Sequence, residues 1–363
     1  MASGRPNLVE CNVSAKEFII YKINIMKHIR VCLLLIFSSM IFACDYGNKY
    51  PGTDFLDLGS LFDGDTIVKD IPCTNIRSIF IVDSLMVLHC DNTLDGKLMQ
   101  VYHLNSGAKL TSFAQYGRGP GEVDYADACF NPQKRIFQFI TDHGQNIKFH
   151  IDSVILGKAK GISTKLKSQL RGSQYSFIDT LLFSSSAKFL DDFYRFAIMY
   201  PNGDTIFCYR DGTQKRTPVI LKPDYTKCFT FYNGNLETEV FTLTKCSIKQ
   251  YSHCQYINPN RVLGEDIIVS KDYPGIANYP FPTDKYIYAP WTSSLSPQKA
   301  IRADRIVIFN WDGSAKGYFT LENINNLYGV MNIDESSCKF YTVIKNKNGQ
   351  LNIVRYDMSH LPL

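Results

Sequence analysis

The densest group of chemistry-bearing residues in this chain is Tyr116-Gly117-Arg118-Gly119-Pro120-Gly121-Glu122. Glycines at 117, 119 and 121 open backbone shapes closed to other residues, so successive N–H groups could turn toward one point and cradle an anion. Arg118 and Glu122 would then line the mouth of a site, which makes Gly117, Arg118, Gly119, Pro120, Gly121 and Glu122 the candidate binding loop. The same residues also suit a tight crossover between strands, with Pro120 fixing the bend and Arg118 pairing locally. A dinucleotide site is not indicated. GxGPGE departs from GxGxxG, and no strand–loop–helix context follows it.

Other reactive side chains form no recognisable constellation. His143 and His150 lie seven apart and His253 adjoins Cys254, neither of which matches the helical HExxH arrangement. Asp142-His143 reads as a surface pair before it reads as an acid/base couple. No GxSxG elbow and no paired carboxylates at a catalytic spacing stand out, so catalytic residues are not assignable and neither a metal nor a cofactor is called for. Tyr279, Tyr286, Tyr288, Trp291 and Trp311 are aromatic faces that could stack on sugar rings at a rim. At strand spacing they suit an apolar core better. Tyr273 to Pro282, irregular and proline-rich, reads as an exposed loop.

The address is legible near the N-terminus. Met26-Lys27-His28-Ile29-Arg30 is basic, and Val31 to Ala43 is a 13-residue apolar run ending Ile41-Phe42-Ala43-Cys44. Basic start, short apolar core and small residue before the cut describe a secretory signal, and a spanning helix needs about 20 apolar residues. The tetrapeptide resembles a bacterial lipobox, in which Cys44 is lipidated and becomes the mature N-terminus. Residues 1–25 then read as an upstream extension with Met26 the working start, 26–43 as the signal, 44–51 as a tether and 52–363 as the folded part. The expected location is the cell envelope, lipid-anchored to a membrane, on its periplasmic or outer side.

Removing the leader changes the charge. The whole chain carries 39 basic and 34 acidic residues; without 1–43 it carries 34 and 32. The basicity belongs to the leader, and no nucleic-acid patch is implied. Eight cysteines then remain beyond Cys44, namely Cys73, Cys90, Cys129, Cys208, Cys228, Cys246, Cys254 and Cys338. None forms a CxxC pair, and most sit in apolar strand-like runs, as buried free thiols do. An oxidising envelope would permit a bridge or two, with Cys246–Cys254 the nearest local pair.

These residues need elements to hold them. With 45% hydrophobic and 20% charged residues, the chain is neither disordered nor a multi-pass membrane protein. Its 24 Phe and 22 Tyr favour strands. A unit of apolar strand, polar turn and apolar strand recurs, with turns at 83, 132, 179, 233, 284 and 334, spaced 49, 47, 54, 51 and 50 residues apart. Between these marks fall further hairpin signals at Asn105-Ser106-Gly107, Asn202-Gly203 and Asp312-Gly313. Two hairpins per period means four strands, and four-stranded antiparallel units repeated radially make a β-propeller. The expectation is an all-β, six-bladed β-propeller, closed on the last blade by residues 52–71. Gly157 to Gly172 reads as an insertion between blades rather than the linker of a two-sandwich protein.

Across roughly residues 52–358, the chain resembles the TolB-like six-bladed propeller lipoproteins of Bacteroides-type bacteria. The resemblance is carried by the glycine loop, which looks like that family's GxGPGE. Asp83-Ser84-Leu85, Asp284-Lys285-Tyr286-Ile287-Tyr288 and Ile308-Phe309-Asn310-Trp311-Asp312-Gly313 add to it. It implies a propeller fold and an envelope address. It adds little chemistry, because the family's members mostly lack an assigned activity.

Two functions follow as expectations. The first is a non-catalytic binding or scaffolding module recognising an envelope protein or a glycan. The alternative is a propeller enzyme, a lyase or lactonase-like hydrolase with a metal in the central channel.

Overall fold

The computed structural model describes residues 55–363 except 125, 127, 142–143, 166–173, 179–180, 190–191, 201–203, 211–218, 233–236, 245–246, 257–274, 277–279, 293–302 and 322–326. Cys44 and the boundaries drawn before residue 52 lie outside the described residues, as do Asp142, His143, Cys246, Tyr273 and Tyr279.

Two strands come first, β1 (Asp57–Leu61) and β2 (Asp65–Ile71), and six blades follow. Blade 1 is β3 (Asn75–Val82), β4 (Leu85–Asp91), β5 (Lys97–His103) and β6 (Lys109–Gln115). Blade 2 is β7 (Ala128–Asn131), β8 (Ile136–Ile140), β9 (Gln145–His150) and β10 (Ile162–Lys165), with the one-turn helix α1 (Ile151–Ile155) before its last strand. Blade 3 is β11 (Gln174–Ile178), β12 (Leu181–Phe189), β13 (Asp192–Met199) and β14 (Thr205–Arg210). Blade 4 is β15 (Val219–Leu221), β16 (Lys227–Tyr232), β17 (Glu237–Thr244) and β18 (Ser247–Gln255). Blade 5 starts with two short pieces, β19 (Gly275–Ile276) and β20 (Phe281–Pro282), both paired to β21 (Tyr286–Thr292), and continues with β22 (Arg305–Asn310) and β23 (Ala315–Leu321). Blade 6 is β24 (Leu327–Asp334), β25 (Lys339–Lys345) and β26 (Leu351–Asp357), completed by β2. The molecule is a six-bladed β-propeller.

Ring closure explains a pattern that sequence alone leaves odd. The first six residues of β4, Leu-Met-Val-Leu-His-Cys, are all buried, without alternation, and only Asp91 at its end is half-exposed. Blade 1 is sandwiched between blades 2 and 6, so both faces of its central strand are dry. Leu85 and Val87 join the cluster shared with blade 2, while Met86, Leu88 and Cys90 join the cluster shared with blade 6. Strand β22 divides in the same way, Ile306 and Ile308 toward blade 6 and Val307 and Phe309 toward blade 4. By contrast β10, short and at an edge, is exposed at all four positions and ends in Lys165, which discourages pairing with another chain.

The N-terminal strands close the ring in two ways. Strand β2 pairs antiparallel with β26, Asp65 opposite Arg355 and Ile71 opposite Leu351, as the outermost strand of blade 6. Strand β1 instead runs parallel to β23, Leu61 opposite Leu321, and extends blade 5. Segment 52–71 thus seals two blades, where the sequence suggested one. The inner strands of blades 6 and 1 are stitched by Asn332, whose buried Nδ2 donates to the Ile79 carbonyl at 3.0 Å.

Three sequence expectations need correction. The turn at 233 is the second hairpin of blade 4, between β16 and β17. The first lies at 222–226 and carries no glycine: Asp224 Oδ1 accepts the Thr226 N–H at 2.9 Å and its hydroxyl at 2.7 Å, so a side chain does the turning. Gly157 to Gly172 is no insertion between blades, because its residues 162–165 are the fourth strand of blade 2. The span from Gly275 to Pro282 is only partly loop: Ile276 is buried in β19 and Pro282 pairs with Ile287 in β20.

Candidate functional site

A pocket of about 330 Å³ opens at the end of blade 1 where β3 begins and β4 and β6 finish, beside the crossover to blade 2. Its polar walls come from Thr74, Arg77, His89, Asp91 and Asn92, with the Tyr116 ring at the edge. Backbone register brings them together: Asn75 lies opposite Asp91, Ser78 opposite His89, and a bulge between Ile76 and Ser78 alters the register beside Arg77. The Arg77 guanidinium meets Asp91 at 2.8 Å, and Asn75 Nδ2 donates to the same carboxylate at 3.0 Å. Arg77 and Asp91 side chains are 30% and 24% exposed, so this charge pair is half-solvated and faces the opening.

His89 forms the floor. It is 1% exposed, and its ring stands edge-on to Phe139 of blade 2 with centroids 6.0 Å apart. Burial, reinforced by the positive charge of Arg77, lowers its pKa to about 4, so the imidazole is neutral at physiological pH. Among the described residues its Nδ1 meets no hydrogen-bond partner. A buried polar nitrogen left unmatched at the base of a pocket costs stability unless something supplies the missing bond.

The rim is braced. Asn92 Nδ2 donates to Thr74 Oγ1 at 3.1 Å, and the Thr93 hydroxyl donates to the Lys97 carbonyl at 2.7 Å. Asp95, in the same turn, accepts from the Ser112 hydroxyl at 2.7 Å and from Gln100 Nε2 at 3.2 Å. Burial pushes its carboxyl upward, but the hydrogen bonds from Ser112, the Lys97 N–H and Thr93, with the charge of Lys109, outweigh it and hold the pKa well below the carboxylate range. Tyr116, 44% exposed, hangs its N–H on the Gly96 carbonyl at 2.9 Å and leads into the glycine loop.

That loop closes on itself. Glu122 Oε2 accepts the Gly119 N–H at 2.8 Å, and the Glu122 N–H donates to the Gly119 carbonyl at 3.0 Å. A Cβ on Gly117 would sit 2.1 Å from the Glu122 carboxylate, and one on Gly119 2.9 Å away. Gly117 and Gly119 are therefore required by an internal carboxylate, which takes the Gly119 N–H that an external anion would have met, and Gly121 by its positive φ of 81°. Arg118, its side chain 72% exposed, reaches the buried carboxylate of Asp124 at 3.8 Å. The structure thus places Gly117, Arg118, Gly119, Pro120, Gly121 and Glu122 in the crossover beside the pocket, with Tyr116 on its edge.

Arg77 and His89 escaped the sequence reading because they sit inside apolar strands, and Asp91 because it closes one. Their signal was the interruption itself, Arg in Asn75-Ile76-Arg77-Ser78-Ile79 and His in Val87-Leu88-His89-Cys90. Of the aromatic group, Tyr288, Trp291 and Trp311 are core, as their spacing suggested, and Tyr286 is half-buried; Phe55 stands edge-on to Trp291 at 5.1 Å and Trp311 Nε1 donates to the Thr283 carbonyl. Among the described residues no three His, Cys, Asp or Glu side chains converge as a metal site would need. His150 pairs with Asp152 at 3.5 Å and His253 with Glu237 at 3.7 Å, both at the surface.

No protein-family model matches the chain, and no curated protein is similar in sequence. Solved structures are similar in fold. A protein of Bacteroides fragilis described as exported aligns over 83% of this chain and 98% of its own, at 9% identity and a TM-score of 0.55. The Swd1 β-propeller domain of Myceliophteria thermophila aligns over 81% and 98%, at 8% identity and a TM-score of 0.48. At such identities the likeness is one of fold alone.

Proposed function

We propose that this chain is a TolB-like, lipid-anchored propeller of the cell envelope, tethered through Cys44, that binds a partner protein or glycan at the blade 1 pocket. The observation that carries the reading is the pocket floor, where His89 holds an unmatched nitrogen beneath the half-solvated Arg77–Asp91 pair. Such an arrangement suits recognition. The charge pair can exchange water for hydroxyl, amide or carboxylate groups of a ligand, and Tyr116 offers an aromatic face at the entrance. Rigid strands on both walls hold the donors in place, which keeps the ordering cost of binding low. The envelope address rests on the signal and lipobox pattern, and it agrees with the exported character ascribed to the Bacteroides fragilis protein of similar fold.

A photo-crosslinking residue at position 116, installed in the full chain in its own cells, tests the site. Position 84, in the hairpin at the far end of β3, serves as the control. A single adduct from position 116 that is absent from position 84 and lost in Arg77→Ala supports the proposal. Equal adducts from both positions, or an adduct indifferent to Arg77→Ala, would overturn it.

A further inference from the structure

Two thiols meet where the ring closes. Cys73 lies in the three-residue link between β2, the outermost strand of blade 6, and β3, the innermost strand of blade 1. Cys90 lies on β4, fully buried, on the face turned toward blade 6. The backbone around both is pinned. The Cys73 N–H donates to the Ile71 carbonyl at 2.8 Å, the Thr74 N–H donates to the Asp91 carbonyl at 3.1 Å, and Ile76 sits opposite Cys90 across the ladder. Both side chains belong to one apolar cluster with Ile71, Ile76 and Tyr102, Cys90 buried within it and Cys73 packed against it.

We propose that Cys73 and Cys90 form a disulfide when the chain folds in an oxidising compartment, and that this bond locks the ring-closing strand β2 to blade 1. The oxidant is a disulfide donor, either a small-molecule disulfide or a dithiol oxidoreductase in its oxidised form. The Cys73 thiolate, on the more exposed residue, attacks one donor sulfur and releases the other as a thiolate, leaving a mixed disulfide on Cys73. The Cys90 thiolate then displaces the remaining donor sulfur from Cys73. One S–S bond forms in the protein, one is broken in the donor, and the two protons of the cysteines leave with the two donor thiols.

The roles suit the surroundings. The neighbouring Cys90 thiol holds the Cys73 thiol below its ordinary value, which favours the attacking thiolate, while Cys73 and burial push Cys90 up. Other described cysteines sit differently: Cys254 and Cys338 donate to the backbone carbonyls of Asp312 and Glu335. The crosslink would also steady the pocket, because Thr74 and Asp91 are the sequence neighbours of the two cysteines and both line it. The inference rests on the envelope address proposed above and not on what the pocket binds.

The test is thiol mapping of the full chain in two settings. In the first, purified reduced protein is equilibrated with oxidised glutathione under native conditions, alkylated and digested. A peptide joining Cys73 to Cys90 is expected, with a melting temperature that falls by roughly 5 °C on reduction, the size expected for a short closed loop in a chain this long. Cys73→Ser should melt with the reduced wild type and ignore the reductant. Recovery of both residues as alkylated thiols, or a bond from either to another cysteine, overturns the inference. In the second setting the protein is alkylated at the moment of cell lysis. The same linked peptide supports both inference and address; free thiols there, after pairing in the first setting, overturn the address and leave the pairing standing.

Discussion

At the scale of single residues, the chain keeps its most consequential polar groups inside apolar strands. His89 is held neutral by burial and by Arg77, whereas in the unfolded chain it protonates near 6.5. With its pKa lowered to about 4, the native state binds fewer protons than the unfolded state between these two values. Stability therefore rises with pH through that window and levels off above it, by about 3 kcal/mol in all for so deeply buried a ring. Urea unfolding at intervals from pH 4 to 7 should show this slope in the wild type and lose most of it in His89→Gln. An equal slope in the variant would mean that another group carries the titration. The depressed carboxyl of Asp95 acts at the other end, its contribution disappearing only as the pH drops below the carboxylate range. Of this site, the sequence displayed the glycine loop and hid the rest. Three glycines around a proline are visible to any scan, but a histidine within Val-Leu-His-Cys reads as one more strand residue until the other wall of the pocket is known.

At the scale of elements, closure depends on β2 and on the seam between β24 and β3. Strand β2 covers the edge of β26 and places Val68 and Ile71 in the cluster shared by blades 1 and 6. Asn332 answers the Ile79 carbonyl across the inner seam, a buried bond whose loss leaves that acceptor unmatched. Asn332→Leu should cost about 1–3 kcal/mol, read as a lower urea midpoint with an unchanged slope. A change within error would show that the seam is held by apolar packing alone. The second element of note is the crossover at residues 117–122. Gly117 and Gly119 serve an internal carboxylate, so the crossover contributes to the pocket by shaping the edge that carries Tyr116.

At the scale of the whole molecule, blades 1, 4, 5 and 6 are packed on both faces by others, and the apolar clusters sit between blades rather than within them. Cluster residues of blades 1 and 2 include Phe137, which is fully buried among Phe80, Phe113 and Phe130. A cavity there is felt by two blades at once. Phe137→Ala should lower stability by about 3–5 kcal/mol and shift a single melting transition rather than split it. Two resolved calorimetric peaks in the variant would show that blades unfold as separate units, as loosely coupled repeats do.

What the amino-acid order determined by itself was the repeat. Apolar strands and polar turns at intervals near 50 residues demand four-stranded units, and those units bury their faces only against one another, so a six-bladed ring follows from local pattern and surface area. Where a glycine or asparagine makes the turn, the hairpin was legible; where Asp224 does so, or where short β19, β20 and β10 pair with partners already in place, it was not. Tertiary structure alone decided which strand β1 and β2 would join, because both partners lie more than 250 residues away and an edge strand's choice depends on which edge is left open. It also decided the pocket and the thiol seam. Arg77, His89 and Asp91 come from two strands, Tyr116 from the following crossover, and Cys73 from the link that closes the ring, and only the folded register gathers them at one end of blade 1.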